Sequence, residues 1–131
     1  MNHESRKKIE EFTDLNTWQE GHALVLMVYR FTKKFPKDET FGLVSQMRRA
    51  AVSVTSNIAE GFGRHGYKEK TQFYYLAHGS LIELKNQIII ARDVGYVDAE
   101  GFNGLKGQLN MTHKLLLGLI KKSKTFVSRD S

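Results

Sequence analysis

Four segments of this 131-residue chain carry apolar side chains at helical spacing, and short breaks separate them. The spacing predicts helices over about residues 14–34, 40–60, 68–94 and 98–122. Pro36, the only proline, ends the first helix because the residue before a proline avoids the helical conformation. Glycines lie in the later breaks, where they can end a helix. The chain is therefore predicted to be mainly helical.

Each predicted helix places most of its apolar side chains on one face, as helices that pack around a shared core do. No segment alternates apolar and polar residues as a strand would. Four long helices with short loops favour an all-α fold, an up-and-down antiparallel four-helix bundle. We expect a single domain over residues 1–131, with an ordered part over about 12–125. The predicted inner faces are Trp18, His22, Val25, Val28, Tyr29 and Thr32 in the first helix; Leu43, Met47, Ala50, Val54, Asn57 and Ile58 in the second; Phe73, Ala77, Leu81, Leu84, Ile88 and Ala91 in the third; and Phe102, Leu105, Leu109, Leu116 and Ile120 in the fourth.

The composition excludes several classes of protein. Apolar residues make up 40% of the chain, which is typical of a globular domain. The absence of cysteine excludes disulfides and thiolate metal sites. No apolar run approaches the ~20 residues of a membrane span, and the first dozen residues lack the apolar core of a secretory signal. We therefore expect a cytoplasmic protein with no membrane partner.

The outward sides of the second and third helices carry fewer charges than a solvated surface normally does. On the second helix, Val52, Thr55 and Ala59 are predicted to face outward with little bulk. The third helix is apolar on both flanks of its inner face, so we expect it to contact more than one neighbour. A monomer would expose these surfaces, which predicts homo-oligomerisation, although a moderately apolar surface helix is the simpler alternative. The flanking residues are Leu76, Ile90 and Val94 on one side and Tyr75, Ile82 and Ile89 on the other.

A polar stripe runs beside the inner face of the second helix. A tight antiparallel hairpin of the second and third helices would place Arg49 near Glu83 and Glu60 near Lys70. Both are predicted to be ion pairs, which orient helices more reliably than they stabilise them. We assign the stripe a structural and assembly role. Its residues are Gln46, Arg49, Ser53, Asn57, Glu60 and Arg64.

No catalytic or metal-binding constellation is evident in the sequence. The run from Gly61 to Gly66 matches G-x-G-x-x-G, but the dinucleotide-binding fingerprint needs a preceding strand, so we interpret these glycines as helix ends. His22 and His113 could meet inside the bundle, yet two histidines without a carboxylate do not indicate a metal site. No base lies beside a nucleophile on one helix. We therefore predict no enzyme activity, metal, cofactor or small-molecule substrate.

The net charge of +6 is concentrated in two parts of the chain. Residues 30–70 contain nine Lys or Arg against four Asp or Glu, and residues 114–131 contain five against one. Such clustering favours an acidic partner such as RNA, and Tyr67, Tyr74 and Tyr75 could stack on its bases. The candidate nucleic-acid residues form two groups, which an up-and-down bundle places at opposite ends of the second helix. They are Arg30, Lys33, Lys34 and Lys37 in one group, and Arg64, Lys68 and Lys70 in the other.

Short motifs spread over nearly the whole chain resemble those of one family. They are Phe35-Pro36, Glu39-Thr-Phe-Gly-Leu43, Gln46-Met-Arg-Arg-Ala-Ala51, Ser53, Asn57-Ile-Ala-Glu-Gly61, Phe73, Ala77, Gly79-Ser80 and Glu83-Leu84. The chain thereby resembles the bacterial four-helix-bundle proteins known as 23S rRNA intervening sequence proteins. The resemblance implies a non-enzymatic bundle that assembles as a ring-like homopentamer and associates with RNA or with a nucleic-acid-handling protein. It implies no catalytic residues.

Two functional hypotheses follow from the charge and the resemblance. The first is a homo-oligomeric binding module whose basic helix ends contact RNA or an RNA-associated partner. The second is a structural assembly or protein-partner adaptor whose basic residues only keep it soluble. RNA titration at low and moderate salt separates the two, because phosphate binding weakens steeply with salt.

Overall fold

A computed structural model describes residues 8–127 of the chain. Helices make up most of this part, and it contains no strand. Residues 1–7 and 128–131, which include much of the predicted frayed ends, lie outside the described residues. Short 3-10 turns at Phe12–Asp14 and Lys37–Glu39 precede the first two helices. The helices are α1 Asn16–Thr32, α2 Leu43–Phe62, α3 Tyr67–Asp93 and α4 Ala99–Thr125.

The helices are arranged up and down, so that each contacts its neighbours along the chain and α1 contacts α4. Two hydrogen bonds mark the antiparallel pairing of α1 with α4. The Thr17 hydroxyl donates to the backbone oxygen of Leu115 at 3.4 Å, and the Gln108 side chain donates to the backbone oxygen of Glu20 at 2.9 Å. The predicted all-α architecture of four helices is confirmed.

The core lies between the four helices and is mainly aliphatic. In α3 and α4 every residue of the predicted inner face is buried except Phe73 and Phe102, which lie half-buried at the edge of the core. None of the helices in the described part of the chain is both long enough and apolar enough to cross a membrane.

The predicted inner face of α1 is only partly correct: Val25, Val28 and Thr32 are buried as predicted. Trp18, His22 and Tyr29, which we expected inside, lie at the edge of the core or outside it. The Trp18 and His22 rings stack on each other there, with 4.7 Å between their centroids. The buried face instead includes Gly21, where an added Cβ would lie 3.1 Å from the Thr55 methyl group. α1 can therefore approach α2 closely, because Gly21 has no side chain to hold the two helices apart.

The carboxylate of Glu39 caps the amino end of α2. The helix begins at Leu43, whose backbone N–H donates to a Glu39 carboxylate oxygen at 3.2 Å. The other oxygen accepts from the Tyr96 hydroxyl at 2.8 Å. The Tyr96 bond and then the Leu43 bond lower the pKa of Glu39. Glu39 thereby joins the α1–α2 connection to the α3–α4 connection.

The predicted boundary between α3 and α4 is confirmed. Gly95 follows the end of α3 with φ of 88°, a left-handed conformation that glycine adopts without strain. Asp98 caps α4, because its carboxylate accepts a hydrogen bond from the backbone N–H of Gly101 at 2.7 Å. A glycine and a capping acid therefore separate these helices, as we expected.

Gly61 has a different role from the helix end that the sequence suggested. It lies inside α2, which continues to Phe62, and Gly63 follows as the cap residue. An added Cβ at Gly61 would lie only 2.7 Å from a carbon of the Tyr74 ring in α3. The glycine is therefore needed because the two helices pack closely there.

Candidate assembly and nucleic-acid surfaces

Small polar side chains join α2 to α3. The hydroxyl oxygens of Ser53 in α2 and Ser80 in α3 are 2.8 Å apart. The side-chain amide of Asn57 donates to the backbone oxygen of Ser53 at 2.9 Å and to its hydroxyl at 3.1 Å. Asn57 thus orients the hydroxyl that bridges the helices. Gln46, at the other end of the predicted stripe, is exposed.

The two ion pairs predicted across this hairpin are not formed. Arg49 and Glu83 are both exposed, and no ion pair in the described part of the chain joins them. Glu60 instead pairs with Arg64, four residues further along the chain, at 3.2 Å. Lys70 donates to a backbone oxygen of α2 at 2.6 Å. Glu60 therefore binds a residue one helical turn away, and Lys70 binds a backbone carbonyl. The two side chains do not bind each other across the hairpin.

The outward side of α2 is narrower than predicted. Val52 is 38% exposed and Ala59 is half-buried, but Thr55 is buried. The Thr55 methyl group faces Gly21 of α1, and its hydroxyl donates to the backbone oxygen of Val52 at 3.1 Å. Thr55 therefore belongs to the contact between α1 and α2 and cannot contact a neighbouring subunit, contrary to our expectation.

Both flanks of α3 expose apolar side chains at the predicted positions, except at Ile89, which is half-buried. Leu76 and Val94 are 56% and 55% exposed, and Ile90 lies exposed on the same flank. Tyr75 and Ile82 are exposed on the other flank. One chain by itself therefore leaves apolar surface in contact with water along most of α3.

The α1 end of the bundle, where α1 finishes and α2 begins, carries exposed cations and an exposed aromatic ring. Phe41, in the connection to α2, is 95% exposed. We named three tyrosines as stacking candidates and missed Phe41, although it follows a lysine-rich segment and precedes a glycine. An exposed ring beside free cations can stack on a base while the cations contact phosphates. The cations, none of which makes an ion pair or side-chain hydrogen bond with another described residue, are Arg30, Lys33, Lys34 and Lys37.

The loop end of the bundle, where α2 and α3 are joined, carries cations that are largely engaged. The Arg64 guanidinium lies 3.2 Å from a Glu60 carboxylate oxygen and 4.0 Å from one of Glu69. Lys70 is bound to the backbone of α2, whereas Lys68 is exposed. As predicted, this group and the group at the α1 end lie at opposite ends of α2.

Of the three tyrosines named as stacking candidates near the loop end, Tyr67 and Tyr74 are packed, whereas Tyr75 is 48% exposed. Tyr74 is buried, and burial raises its pKa to about 12. The centroids of the Tyr67 and Phe126 rings are 4.9 Å apart. The hydroxyls of Thr71 and Ser123, 2.7 Å apart, join α3 to α4 here. The lysines near the end of α4 therefore lie at the loop end too, a placement that antiparallel topology implies but that we did not predict.

The histidines are distributed differently from the sequence expectation. His22 stacks on Trp18 and does not meet His113, a contact that the sequence had left open. His113 faces His78 of α3 instead, with 3.0 Å between their Nε2 atoms. Within residues 8–127, no group of three or more His, Cys, Asp or Glu side chains is placed to hold a metal ion.

Comparisons with known proteins agree with this architecture. The family described as 23S rRNA-intervening sequence protein matches residues 13–118. A crystal structure of a protein with unknown function, from the S23 ribosomal protein family of Bacteroides thetaiotaomicron VPI-5482, has a similar fold. Its TM-score is 0.72 and its sequence identity 17%, over 80% of this chain and 98% of that chain. None of the curated proteins compared with this chain matches it. The chain belongs to the family of 23S rRNA-intervening sequence proteins.

Proposed function

We propose that this chain is a non-enzymatic cytoplasmic protein that forms a homo-oligomer and binds RNA, or an RNA-associated protein, chiefly through the α1 end. The observation that carries the proposal is that four exposed cations, none paired with another described residue, lie at the same end of the bundle as the ring of Phe41, which is 95% exposed. A ring of five subunits is the assembly that the family resemblance implies. The engaged cations of the loop end take a smaller part.

Self-association is supported by the apolar flanks of α3 and by Val52 on α2. Contiguous apolar surface of this kind is typical of protein interfaces and is unusual on a monomer. A second copy of the chain offers the same surface and would remove it from water. We therefore place the subunit interface on the outward sides of α2 and α3.

A charge reversal at Leu76 tests the interface. Leu76→Glu should reduce the size of the assembly, because a carboxylate buried at an apolar interface is costly. Leu26→Glu on α1 is the matched control, since Leu26 is 52% exposed and Leu76 is 56% exposed. Light scattering measures the mass of each. A monomeric parent protein, or equal disruption by both variants, contradicts the interface.

RNA binding is supported by the number of cations at the α1 end and by the fact that they form no ion pairs with other described residues. Unpaired lysines can exchange counterions for phosphates without first breaking an ion pair. Phe41 adds an aromatic face on which an unpaired base can stack. The α1 end thus combines the two features by which proteins hold single strands.

Titration of single-stranded RNA at low and moderate salt tests the binding. The affinity should fall steeply as salt rises, and Lys34→Glu should weaken binding more than Lys114→Glu, which makes the same charge change in the middle of α4. Phe41→Ala should weaken binding to single strands more than binding to duplex RNA, whereas Phe12→Ala should have little effect. No binding at low salt, or equal loss in the two lysine variants, refutes the RNA part of the proposal.

The alternative is an assembly or protein adaptor that binds no nucleic acid. The pairing of Arg64 with Glu60 and Glu69 favours it, because these carboxylates would repel phosphate at the loop end. Affinity capture from cells followed by nuclease treatment separates the two functions. An adaptor retains one partner protein and carries no nucleic acid, and an RNA-dependent association is lost on nuclease treatment.

A further inference from the structure

Two histidines face each other across α3 and α4, and the proposed function does not use them. The Nε2 atoms of His78 and His113 are 3.0 Å apart, and the ring centroids are 4.9 Å apart. The ring nitrogens therefore point towards each other. Both side chains are partly exposed, so water or an ion can reach them.

We propose that His78 and His113, although no third protein ligand joins them in the described part of the chain, form a weak two-imidazole binding site for a divalent transition-metal ion, such as Zn²⁺, Ni²⁺ or Cu²⁺. Two nitrogens that bind one Zn²⁺ at ~2.0–2.1 Å and a tetrahedral angle lie about 3.3 Å apart. The observed separation is 3.0 Å, so a movement of a few tenths of an ångström admits the ion. Water completes the coordination from the exposed side.

The packing of the helices prepares this pair. His78 and His113 lie on neighbouring helices that also contact each other through Thr71 and Ser123, so the two imidazoles are held together before an ion arrives.

Binding exchanges one hydrogen bond for two metal bonds. In the empty pair one Nε2 carries the proton that the other accepts. That imidazole moves its proton to Nδ1, through solvent, and both Nε2 lone pairs are then free for the ion. No redox step is involved, and neither residue changes its net charge.

The surroundings define which ions bind. Imidazole nitrogen suits zinc, nickel and copper, whereas Mg²⁺ and Ca²⁺ prefer oxygen ligands. The described residues supply two protein ligands here, so binding is weaker than at a four-ligand structural site. Copper binds tightest, as the general order of divalent affinities requires.

Calorimetric titration with Zn²⁺, with Mg²⁺ as the negative probe, tests the site. All proteins carry His3→Gln, which removes an imidazole near the amino terminus that could bind metal by itself. His78→Gln and His113→Gln each remove one proposed ligand, and His22→Gln is the matched control because it removes a partly stacked imidazole on α1. Loss of an outer-shell partner already weakens metal sites roughly 10–100-fold, so loss of a ligand should weaken Zn²⁺ binding at least about tenfold.

Thermal unfolding provides a second measurement that does not depend on heats of binding. Zn²⁺ should raise the unfolding midpoint of the parent and of His22→Gln, because an ion bound only to the folded state stabilises it. It should leave the midpoints of His78→Gln and His113→Gln unchanged, with circular dichroism confirming that both variants fold. Unchanged Zn²⁺ affinity in either variant, an equal loss in His22→Gln, or no binding by the parent up to about millimolar Zn²⁺ overturns the site.

Discussion

The α1 end and the loop end carry similar cations but offer them differently. At the α1 end Arg30, Lys33, Lys34 and Lys37 are exposed and form no ion pair with another described residue, and the ring of Phe41 is 95% exposed. Arg48 and Arg92 at this end are engaged, by the Thr32 hydroxyl and by Asp93. At the loop end Arg64 is held by two carboxylates, and the rings of Tyr67 and Tyr74 are packed. Counting the positive charges in a segment is therefore a poor guide to a binding surface. It matters more whether each charge is already paired with a carboxylate.

The acidic side chains explain the difference between the ends. At the α1 end Glu39 binds Leu43 and Tyr96, and Asp98 caps α4. Neither pairs with a nearby lysine. At the loop end Glu60 lies one turn from Arg64 and is free to pair with it. Because Glu39 and Asp98 close a loop and a helix end, they leave the neighbouring lysines available, although Asp93 at the same end pairs with Arg92 at 2.8 Å.

Replacing Gly61 should have the largest effect, because it disturbs the packed loop end. Gly61→Ala places a Cβ 2.7 Å from the Tyr74 ring. Overpacking of this kind should lower the free energy of unfolding by about 1–3 kcal/mol, measured by chemical denaturation. Gly107→Ala is the control, since an added Cβ there meets nothing within 4 Å. It should raise stability by up to about 1 kcal/mol, and equal changes in the two variants would contradict the close packing.

Removing the Thr71 hydroxyl should also destabilise the loop end. Thr71→Val leaves the hydroxyl of Ser123, which is 3% exposed, without its partner in α3. An unsatisfied buried hydroxyl should cost about 1–2 kcal/mol in the free energy of unfolding. Thr125→Val removes an exposed hydroxyl that bonds within α4 only, and it should cost much less. A similar cost for both variants would mean that the buried bridge does not join the helices.

Freeing Arg64 should make the loop end more like the α1 end. Glu60→Gln removes the carboxylate 3.2 Å from the guanidinium, so single-stranded RNA affinity should rise. Release of an exposed ion pair is worth at most about 1 kcal/mol, so the increase should not exceed about fivefold. Glu83→Gln makes the same charge change on α3, where the carboxylate has no cationic partner among the described residues. An equal increase in both variants would indicate a general charge effect without a role for Arg64.

The smallest expected effect concerns Glu39 at the α1 end. Its pKa is lowered in the folded state, first by Tyr96 and then by Leu43, so its contribution to stability is present above the ordinary value of 4.5. That contribution is lost as the pH falls through the folded-state pKa. Tyr96→Phe removes the larger cause, and stability should then decline less steeply below about pH 4.5. Denaturation curves across this range test it, with Tyr75→Phe as a control that should keep the parent slope.

The helices and most of the core could be predicted because they follow from periodicity within one segment. Ala77, Leu81 and Leu84 recur at helical spacing on α3, and Gly95 and Asp98 are local signals for a helix end and start. These features need no knowledge of neighbouring helices. Their prediction from sequence therefore succeeded.

Contacts between helices could not be predicted in the same way. The face of α1 depends on how closely α2 can approach Gly21, and spacing within α1 does not contain that distance. The expected pairing of Arg49 with Glu83 required a helix register that no single segment encodes. The solvent exposure of the Phe41 ring likewise depends on which side chains surround it after folding.

The close packing of Gly61 against Tyr74 also limits which substitutions the two positions can accept during evolution. With the ring in place, any side chain at position 61 meets a carbon within 3 Å, so the two positions cannot vary independently. A family member with a larger residue at position 61 should carry a smaller one at position 74. Covariation between these two columns is therefore expected among relatives, and it would record the helix contact in sequences alone.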